Sequence, residues 1–125
     1  MPVINLQKKL ETFSQYWAPR IVSQFNGHDV MLAKLKGEFV WHSHSDTDDF
    51  FLVIKGNLTI QLRNPEAREV GDLQEVHLGP GELYIVPRGV EHRPVAADEV
   101  HVLLLETVGT PNTGDEATAA VKEVI

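Results

Sequence analysis

The sequence predicts an all-β domain, built as a sandwich or a barrel. Short stretches rich in valine, isoleucine, leucine and phenylalanine recur after Pro19, and glycine, proline, asparagine and aspartate separate them. No segment of helix length lies between these stretches, which argues against a parallel sheet with crossover helices. Strands are predicted near residues 20–25, 29–35, 38–44, 50–55, 58–63, 73–78, 83–87, 92–96 and 100–107.

Three regions follow one another along the chain. Residues 1–19 form an N-terminal segment, in which the spacing of Ile4, Leu6, Leu10 and Phe13 predicts one short amphipathic helix within residues 4–16. Residues 20–107 form the β domain. Residues 108–125 form a C-terminal tail, whose first half has loop composition and whose second half is expected to be a frayed helix or disordered. Breaks between strands are predicted at Asn26-Gly27, Lys36-Gly37, Ser45 to Asp48, Lys55-Gly56-Asn57, Asn64-Pro65, Gly79-Pro80-Gly81, Pro87-Arg88-Gly89 and Ala97-Asp98.

Length and composition exclude several classes of protein. The 125 residues suffice for one domain with a single core. The absence of cysteine excludes disulfides, thiolate metal sites and a cysteine nucleophile, and it suits a reducing cytoplasm. A net charge of −7 opposes binding to nucleic acid or to anionic lipid. The start has no signal-peptide pattern and no apolar run reaches the length of a membrane span, so we expect a cytoplasmic protein.

Three predicted strands are apolar on both faces, namely residues 50–54, 83–86 and 102–105. An antiparallel strand with one face in water should alternate apolar and polar side chains. These strands therefore need a cover on the outside of the domain as well as a core inside. The N-terminal segment could cover one of them, and a second subunit is the more economical cover for several, so we expect a homodimer.

Two of the six histidines, His42 and His44, are two residues apart at the end of a predicted strand. Side chains two apart lie on the same face of a strand, so the two imidazoles are expected to converge while Trp41 points the opposite way, toward an outer cover or a dimer partner. A single His-x-His pair is weak evidence for a metal site, because solvated or structural histidines also occur in such pairs. The residues around and after this pair carry further spaced signals that strengthen the case.

Two spaced blocks resemble the paired motifs of the cupin superfamily. In the first, Gly37 is followed by four residues rather than the family's five before His42-x-His44. Asp49 stands where the family has glutamate, and six residues separate it from Gly56. In the second block, Gly81, Pro87, Gly89 and His92 match the family's spacing, and Ala96 replaces its final asparagine. The resemblance implies a single-domain, bacterial-type cupin jelly-roll barrel, also called a double-stranded β-helix, with a short N-terminal helical segment.

The resemblance also implies that His42, His44, Asp49 and His92 are metal ligands inside the barrel. Three neutral imidazoles and a carboxylate suit one divalent transition metal, such as iron, manganese, nickel, copper or zinc. Aspartate is one methylene shorter than glutamate, so Asp49 binds either directly or through a water. Asp46 and Asp48 are competing loop carboxylates, and Ala96 removes the family's usual supporting amide.

Other candidate residues carry weaker signals. Four side chains flank the second motif and could reach the barrel mouth, namely Tyr84, Arg88, Glu91 and Arg93. The two arginines could bind an acidic substrate there. A packed tyrosine and surface arginines are the more ordinary roles for these residues. His28 is expected in a solvent-exposed turn, and His77 and His101 are expected to be structural imidazoles within strands.

The fold alone does not specify the reaction, because cupins host many. We expect a metal-dependent enzyme of the oxidoreductase or dioxygenase type acting on a small molecule. A sugar-phosphate-type isomerase is an alternative of the same class, and a non-catalytic module that binds a small ligand is an alternative of another class. Elemental analysis and a substrate screen would separate the enzyme from the binding module.

Overall fold

The computed structural model describes residues 2–63 and 73–125, and it confirms the predicted all-β architecture. Among the described residues, a five-residue helix precedes eight strands, which form one mostly antiparallel sheet that curls around the main apolar core. The predicted break at Asn64-Pro65 lies outside the described residues. The elements are α1 (Leu6–Leu10), β1 (Arg20–Phe25), β2 (His28–Glu38), β3 (Asp49–Lys55), β4 (Leu58–Arg63), β5 (Leu73–Leu78), β6 (Leu83–Val86), β7 (Glu91–Thr107) and β8 (Glu123–Val124).

Strand β7 organises the sheet, because three other strands pair with it. Residues 91–95 of β7 pair with β4, and residues 101–105 pair with β3. On its other edge, β7 pairs antiparallel with β2 over residues 95–107. The prediction divided this segment into two strands at Ala97-Asp98. In the structure these residues belong to a bulge, since Gly37 pairs with Ala96 and Leu35 pairs with Val100 across the gap.

The predicted strand over residues 38–44 is wrong. Strand β2 continues through the predicted break at Lys36-Gly37 and ends at Glu38, and residues 39–48 form a loop. This loop stays attached to β7, because the amide of Phe39 donates to the carbonyl of Pro94 over 3.0 Å and His42 forms an isolated antiparallel bridge with His92. The chain can therefore leave the sheet while keeping His42 fixed against it.

The N-terminal helix is shorter than predicted. It covers Leu6–Leu10, with the Asn5 side chain accepting a hydrogen bond from the amide of Lys8, and Leu10 is its one buried residue. The following chain is extended and reaches the sheet at a bridge between Tyr16 and Lys34. Leu10 joins Val22 and Leu32 in a small second core that also holds Ile54 and Leu103. The N-terminal segment thus covers part of the outer sheet face.

The C-terminal tail is neither a helix nor a chain free of the domain. After β7 it turns several times and ends in β8, which pairs in parallel with β1. Asn112 contributes two hydrogen bonds, one to the carbonyl of Trp17 and one from the amide of Ala120. These contacts fold the tail across one end of the barrel, beside the loop that carries His42 and His44.

Candidate metal centre

His42 and His92 face each other across a backbone pair. Each amide donates to the other's carbonyl, at 3.0 Å from His42 and 2.9 Å from His92, and the ring centroids lie 4.3 Å apart. Both residues are buried, with 8% and 1% of their surfaces exposed. The antiparallel bridge therefore sets the two imidazoles side by side inside the barrel.

The same two rings have their tautomers fixed by the backbone. Nδ1 of His42 lies 2.9 Å from the carbonyl oxygen of Val40, and Nδ1 of His92 lies 2.9 Å from that of Val90. A carbonyl oxygen can only accept, so each Nδ1 must carry the hydrogen. In the neutral ring, Nε2 then holds a free lone pair that is directed inward, which is the arrangement found in histidine metal ligands.

His44 and Asp49 complete a cluster of four buried groups. Asp49 opens β3, and its Oδ2 lies 2.8 Å from Nε2 of His92, 3.4 Å from Nε2 of His44 and 4.0 Å from Nε2 of His42. One potential ligand atom from each of the four residues lies within 4.8 Å of the others. The structure thus brings together all four residues that the sequence predicted as ligands.

The four groups fit a shared cation. Nε2 of His92 and the Asp49 carboxylate are both acceptors when the imidazole is neutral, so their 2.8 Å approach requires a positive charge between them. Two buried atoms of the cluster, His44 Nε2 and Asp49 Oδ1, also lack a hydrogen-bond partner among the described residues. A metal ion would satisfy these atoms together, and three nitrogens with one oxygen match the preference of transition metals.

The protonation states suit this role. Burial, reinforced by the neighbouring His92, lowers the pKa of His42 to about 4, so this imidazole is neutral at pH 7 and free to bind a metal. Burial opposes the charge of Asp49, but the interactions with the nearby imidazoles of His44 and His92 outweigh it and hold the pKa of Asp49 below its usual range. Asp49 is therefore an ionised carboxylate in the interior.

The competing loop carboxylates lie apart from this cluster. Asp46 and Asp48 are exposed, and Oδ1 of Asp48 accepts a 3.0 Å hydrogen bond from the amide of Arg88. That bond joins the loop 39–48 to the turn before His92, which gives Asp48 a structural role. Ala96 is fully buried in the core, and the backbone carbonyls of Val40 and Val90 orient the ligand rings instead of a side-chain amide.

The weaker candidates lie away from the four ligands. Tyr84 is half-buried and packs against the main core, while Arg88 is exposed. Arg93 donates to Oε1 of Gln61 and pairs with Glu38. The ring of Trp41 lies against two arginines: the guanidinium groups of Arg63 and Arg93 are 4.2 and 5.2 Å from its centre.

The remaining histidines also lie elsewhere. His28, which was predicted in a solvent-exposed turn, is half-buried and begins β2, and its Nδ1 lies 2.9 Å from the carbonyl of Asn26. His77 is exposed and contacts the hydroxyl of Thr59. His101 is buried, with its Nε2 2.6 Å from Oε2 of Glu99, in a cluster that also includes the hydroxyl of Tyr16.

A largely apolar cavity leads to the ligands from within the barrel. His42 and Asp49 lie at its polar end together with Glu106 and Asn112, two residues that no sequence motif pointed to. Glu106 is buried despite its position near the end of β7, and Lys122 from the tail donates a hydrogen bond to it over 3.2 Å. The apolar lining comes from Trp17, Pro19, Ala33, Leu35, Phe39, Phe51, Pro94, Val102 and Leu104.

A second, more polar cleft reaches the cluster from outside, on the side of His44. It lies between the loop that carries His44 and the start of the C-terminal tail. Gly114 of the tail packs directly against the backbone of Ser43, between the two loop histidines. His42 and Asp49 thus line the cavity and His44 lines the cleft. The tail forms part of both walls: Asn112 lines the cavity, and residues 108–111, 114 and 116 line the cleft.

Comparison with known proteins connects this geometry to a family. The profile described as "Cupin domain" matches residues 29–108. The uncharacterised protein YdbB of Bacillus subtilis is 33% identical over 72 residues, which cover 58% of this chain and 57% of that relative. A cupin-2 domain protein from Shewanella frigidimarina has 40% identity and a TM-score of 0.75, over 84% of this chain and 94% of that structure.

A more distant structure is a hydroquinone 1,2-dioxygenase from Sphingomonas in complex with 4-nitrophenol. It has 18% identity and a TM-score of 0.73, over 85% of this chain and 32% of the dioxygenase chain. At this level of identity the comparison bears on the fold alone. In the part of the chain that the structure describes, no helix is long and apolar enough to cross a membrane.

Proposed function

The chain belongs to the cupin family, and on that premise we propose that it is a metal-dependent oxidoreductase of the dioxygenase type that acts on a small molecule. The observation that carries the proposal is the convergence of three imidazole Nε2 atoms on the Asp49 carboxylate in the barrel interior. Such a set of acceptors is stable only around a cation, and a buried transition-metal ion with open coordination positions is suited to oxidative chemistry.

One divalent ion would be held by the four ligands His42, His44, Asp49 and His92. The candidate metals are iron, manganese, nickel, copper and zinc. Imidazole accepts all five, and the single carboxylate favours the harder ions of this set, iron and manganese. When bound, the ion would supply Lewis acidity and open positions for oxygen and substrate. We also propose that Asp49 binds directly rather than through a water, because its Oδ2 already lies within 4.0 Å of all three Nε2 atoms.

The protein itself would supply orientation and the exclusion of water. The carbonyls of Val40 and Val90 keep two rings in the ligating tautomer, so no reorganisation is needed when the site fills. The apolar walls of the cavity would bind a hydrophobic substrate body and keep water from the reacting atoms. Asn112 and Glu106 provide the polar contacts that would fix its orientation.

The cavity lining favours an oxidoreductase over a sugar-phosphate isomerase. A sugar phosphate needs cationic groups to balance the charge of its phosphate, and among the described residues no arginine or lysine lines this cavity. Arg88 and Arg93, which would have to serve this purpose, are held at the surface and by Gln61. A ligand-binding cupin without turnover remains the outcome to be distinguished by experiment.

The test combines elemental analysis with oxygen consumption. Wild-type protein should contain close to one equivalent of metal and, loaded with Fe(II), should consume oxygen in the presence of a productive member of a panel of phenols and enols. The variant His92→Ala should lose both properties. His28→Ala removes a histidine outside the cluster and serves as the matched control. Metal binding without oxygen uptake across the panel would favour the non-catalytic binding module.

We further propose that the protein is a homodimer, formed through the outer face of β6. Leu83 and Ile85 point outward and are 48% and 46% exposed, whereas Tyr84 and Val86 point to the core. Strand β6 pairs only with β3 among the described strands, so it is also a free sheet edge. Exposed apolar residues on an unpaired edge are the usual signature of an interface.

Sedimentation velocity tests the dimer directly. Wild-type protein should sediment as a species of twice 14.0 kDa at micromolar concentration, and Leu83→Lys/Ile85→Lys should sediment as a monomer. Val3→Lys changes a residue that is 97% exposed and should leave the dimer intact. A monomeric wild type would overturn the proposal. The cytoplasmic location expected from the composition is likewise a proposal, which fractionation of the producing cells would test.

A further inference from the structure

Glu106 is a second buried carboxyl group beside the four ligands. Only 4% of the residue is exposed, and it lines the same cavity as His42 and Asp49. Its cross-strand partner on β2 is Asp29, another buried carboxylate. Burial of two acidic groups at one register position carries a large desolvation cost. The side chain of Gln24 offsets part of it by donating a 3.1 Å hydrogen bond to Oδ1 of Asp29, whereas Glu106 faces the cavity.

Lys122 holds this carboxyl group from the tail. Its ammonium group donates to Oε2 of Glu106 over 3.2 Å and also to the carbonyl of Thr110. Among residues 2–63 and 73–125, the hydrogen bonds of Glu106 involve Oε2, which leaves Oε1 available to a molecule in the cavity. A fixed carboxylate with one free oxygen is an acceptor aimed at a ligand.

The other residues that line the cavity indicate the chemistry of a ligand that would fit beside Glu106. Trp17 and Phe39 stack with ring centroids 4.7 Å apart, and Phe51 and Leu104 extend the apolar surface toward the metal ligands. A carboxylate-bearing ligand would be repelled by Glu106 and Asp49. An uncharged aromatic molecule with a hydroxyl group satisfies both the walls and the free Oε1.

We propose that Glu106 binds the hydroxyl group of a small aromatic substrate and accepts its proton, with Lys122 as the positioning residue. The inference rests on the proposed function, whose substrate class it specifies. In the step, the O–H bond of the substrate breaks, the proton forms a bond to Oε1 and the electron pair stays on the substrate oxygen. The neutral carboxylic acid then donates a hydrogen bond back to the phenolate oxygen. With an ion held by His42, His44, Asp49 and His92, the phenolate would be a better ligand than the phenol.

The electrostatics around Glu106 are compatible with this role. Burial and, to a smaller extent, the nearby charge of Asp49 raise the pKa of Glu106 to about 7, against the opposing effects of Lys122 and His44. A carboxyl group that titrates near neutral pH can accept and return a proton within one catalytic cycle.

A pair of fluorinated probes tests the inference through binding alone. 4-Fluorophenol and 4-fluoroanisole have similar shapes, but the methyl ether has no hydroxyl proton to donate. Titrations followed by ¹⁹F NMR, on metal-free and on zinc-loaded protein, should show that wild type binds the phenol about tenfold or more tightly than the ether. In Glu106→Leu this preference should disappear while the affinity for the ether is retained.

Further variants keep the result interpretable. Glu106→Gln preserves shape and should fold if Glu106→Leu does not. It can accept a hydrogen bond but not a proton, so it should lose most of the preference. Lys122→Met should lower the preference severalfold, whereas Glu75→Leu, at an exposed glutamate on β5, should leave it unchanged.

Equal binding of the two probes by the wild type, or an unchanged preference in Glu106→Gln, would overturn the inference. Zinc affinity measured on the same samples separates the two proposals. Failure of wild type to bind zinc would count against the metal centre, while the metal-free titrations would still decide the role of Glu106.

Discussion

His42 and His92 are hydrogen-bonded to each other through both backbone amides, although 50 positions separate them in sequence. This reciprocal pair, with amide–carbonyl distances of 3.0 and 2.9 Å, joins the loop 39–48 to β7 at the point where the metal ligands meet. Because each ring also has Nδ1 bonded to the carbonyl two residues earlier, backbone and side chain together fix the direction of both Nε2 atoms. The candidate site is thus organised before a metal binds.

Asp49→Asn should lower the affinity for Fe(II) or Zn(II) by a factor of about 10–100, because the site loses its one anionic ligand and its interactions with three imidazoles. The measurement is competition with a chromophoric chelator at fixed pH. Asp46→Asn changes an exposed carboxylate of the same loop and should have no comparable effect. Equal affinities of wild type and Asp49→Asn would mean that three histidines alone hold the metal.

Metal affinity should decrease as the pH falls from 8 to 5. Burial lowers the pKa of His44, but the nearby carboxylate of Asp49 outweighs this effect and leaves the pKa above its ordinary value. A metal ion must therefore displace a proton from His44, and the affinity depends on pH over the range in which that proton is bound. Proton release during calorimetric titration in buffers of different ionisation enthalpy measures this exchange. Absence of proton release at pH 6 would contradict the assignment of His44 as a ligand.

Glu106→Gln should stabilise the metal-free protein progressively as the pH rises. The folded-state pKa of Glu106 is raised to about 7, so its contribution to the free energy of unfolding is greatest below the unfolded pKa, near 4, and is lost as the pH rises through 7. Glutamine does not titrate and avoids this loss. Between pH 5 and 8 the variant should gain up to about 3 kcal/mol relative to wild type.

Thermal or urea unfolding at several pH values measures this difference. Glu75→Gln, at an exposed position, is the control and should parallel the wild type at every pH. A difference between Glu106→Gln and wild type that does not change with pH would show that Glu106 has the same pKa in the folded and unfolded states.

Gly114→Ala should release the tail from the metal-binding loop. Gly114 has a φ of +76°, and a Cβ atom there would fall on the carbonyl oxygen of Ser43, between His42 and His44. The backbone strain alone costs about 1–2 kcal/mol. Gly109→Ala carries similar strain, with a φ of +89°, but its Cβ would meet nothing within 4 Å. Limited proteolysis should therefore cleave residues 109–125 faster in Gly114→Ala than in Gly109→Ala; equal rates would contradict the contact.

The spacing of His42 and His44 correctly predicted that their side chains converge, although the strand on which this prediction was based is not present. Strand alternation placed both rings on one side, whereas the structure has a loop there that touches β7 at His42. The spacing of Gly81, Pro87, Gly89 and His92 carried the more reliable signal, since it predicts the turn before β7. The outward exposure of Leu83 and Ile85 was also predictable, because a strand that is apolar on both faces must expose one of them or cover it.

Glu106 and Lys122 could not be predicted, because their contact depends on the path of the tail. In sequence, Glu106 ends an apolar strand and looks like the first solvated residue after it. It is buried because the tail folds back and β8 pairs in parallel with β1. The β1–β2 and β1–β8 pairings, together with the turns of the tail, bring Lys122 within hydrogen-bond distance of Glu106. No short sequence motif marks any of these features. Long-range packing of this kind is absent from residue periodicity.

The most direct test of the metal centre is a calorimetric titration of Zn(II) and of anaerobic Fe(II) into metal-free protein. Wild type should bind one equivalent, and His42→Ala/His92→Ala should lose at least about 100-fold in affinity. The matched double variant His28→Ala/His77→Ala, which removes two histidines outside the cluster, should bind like the wild type. Failure of wild type to bind either ion, or equal binding by the His42→Ala/His92→Ala protein, would contradict the metal centre on which the proposed function rests.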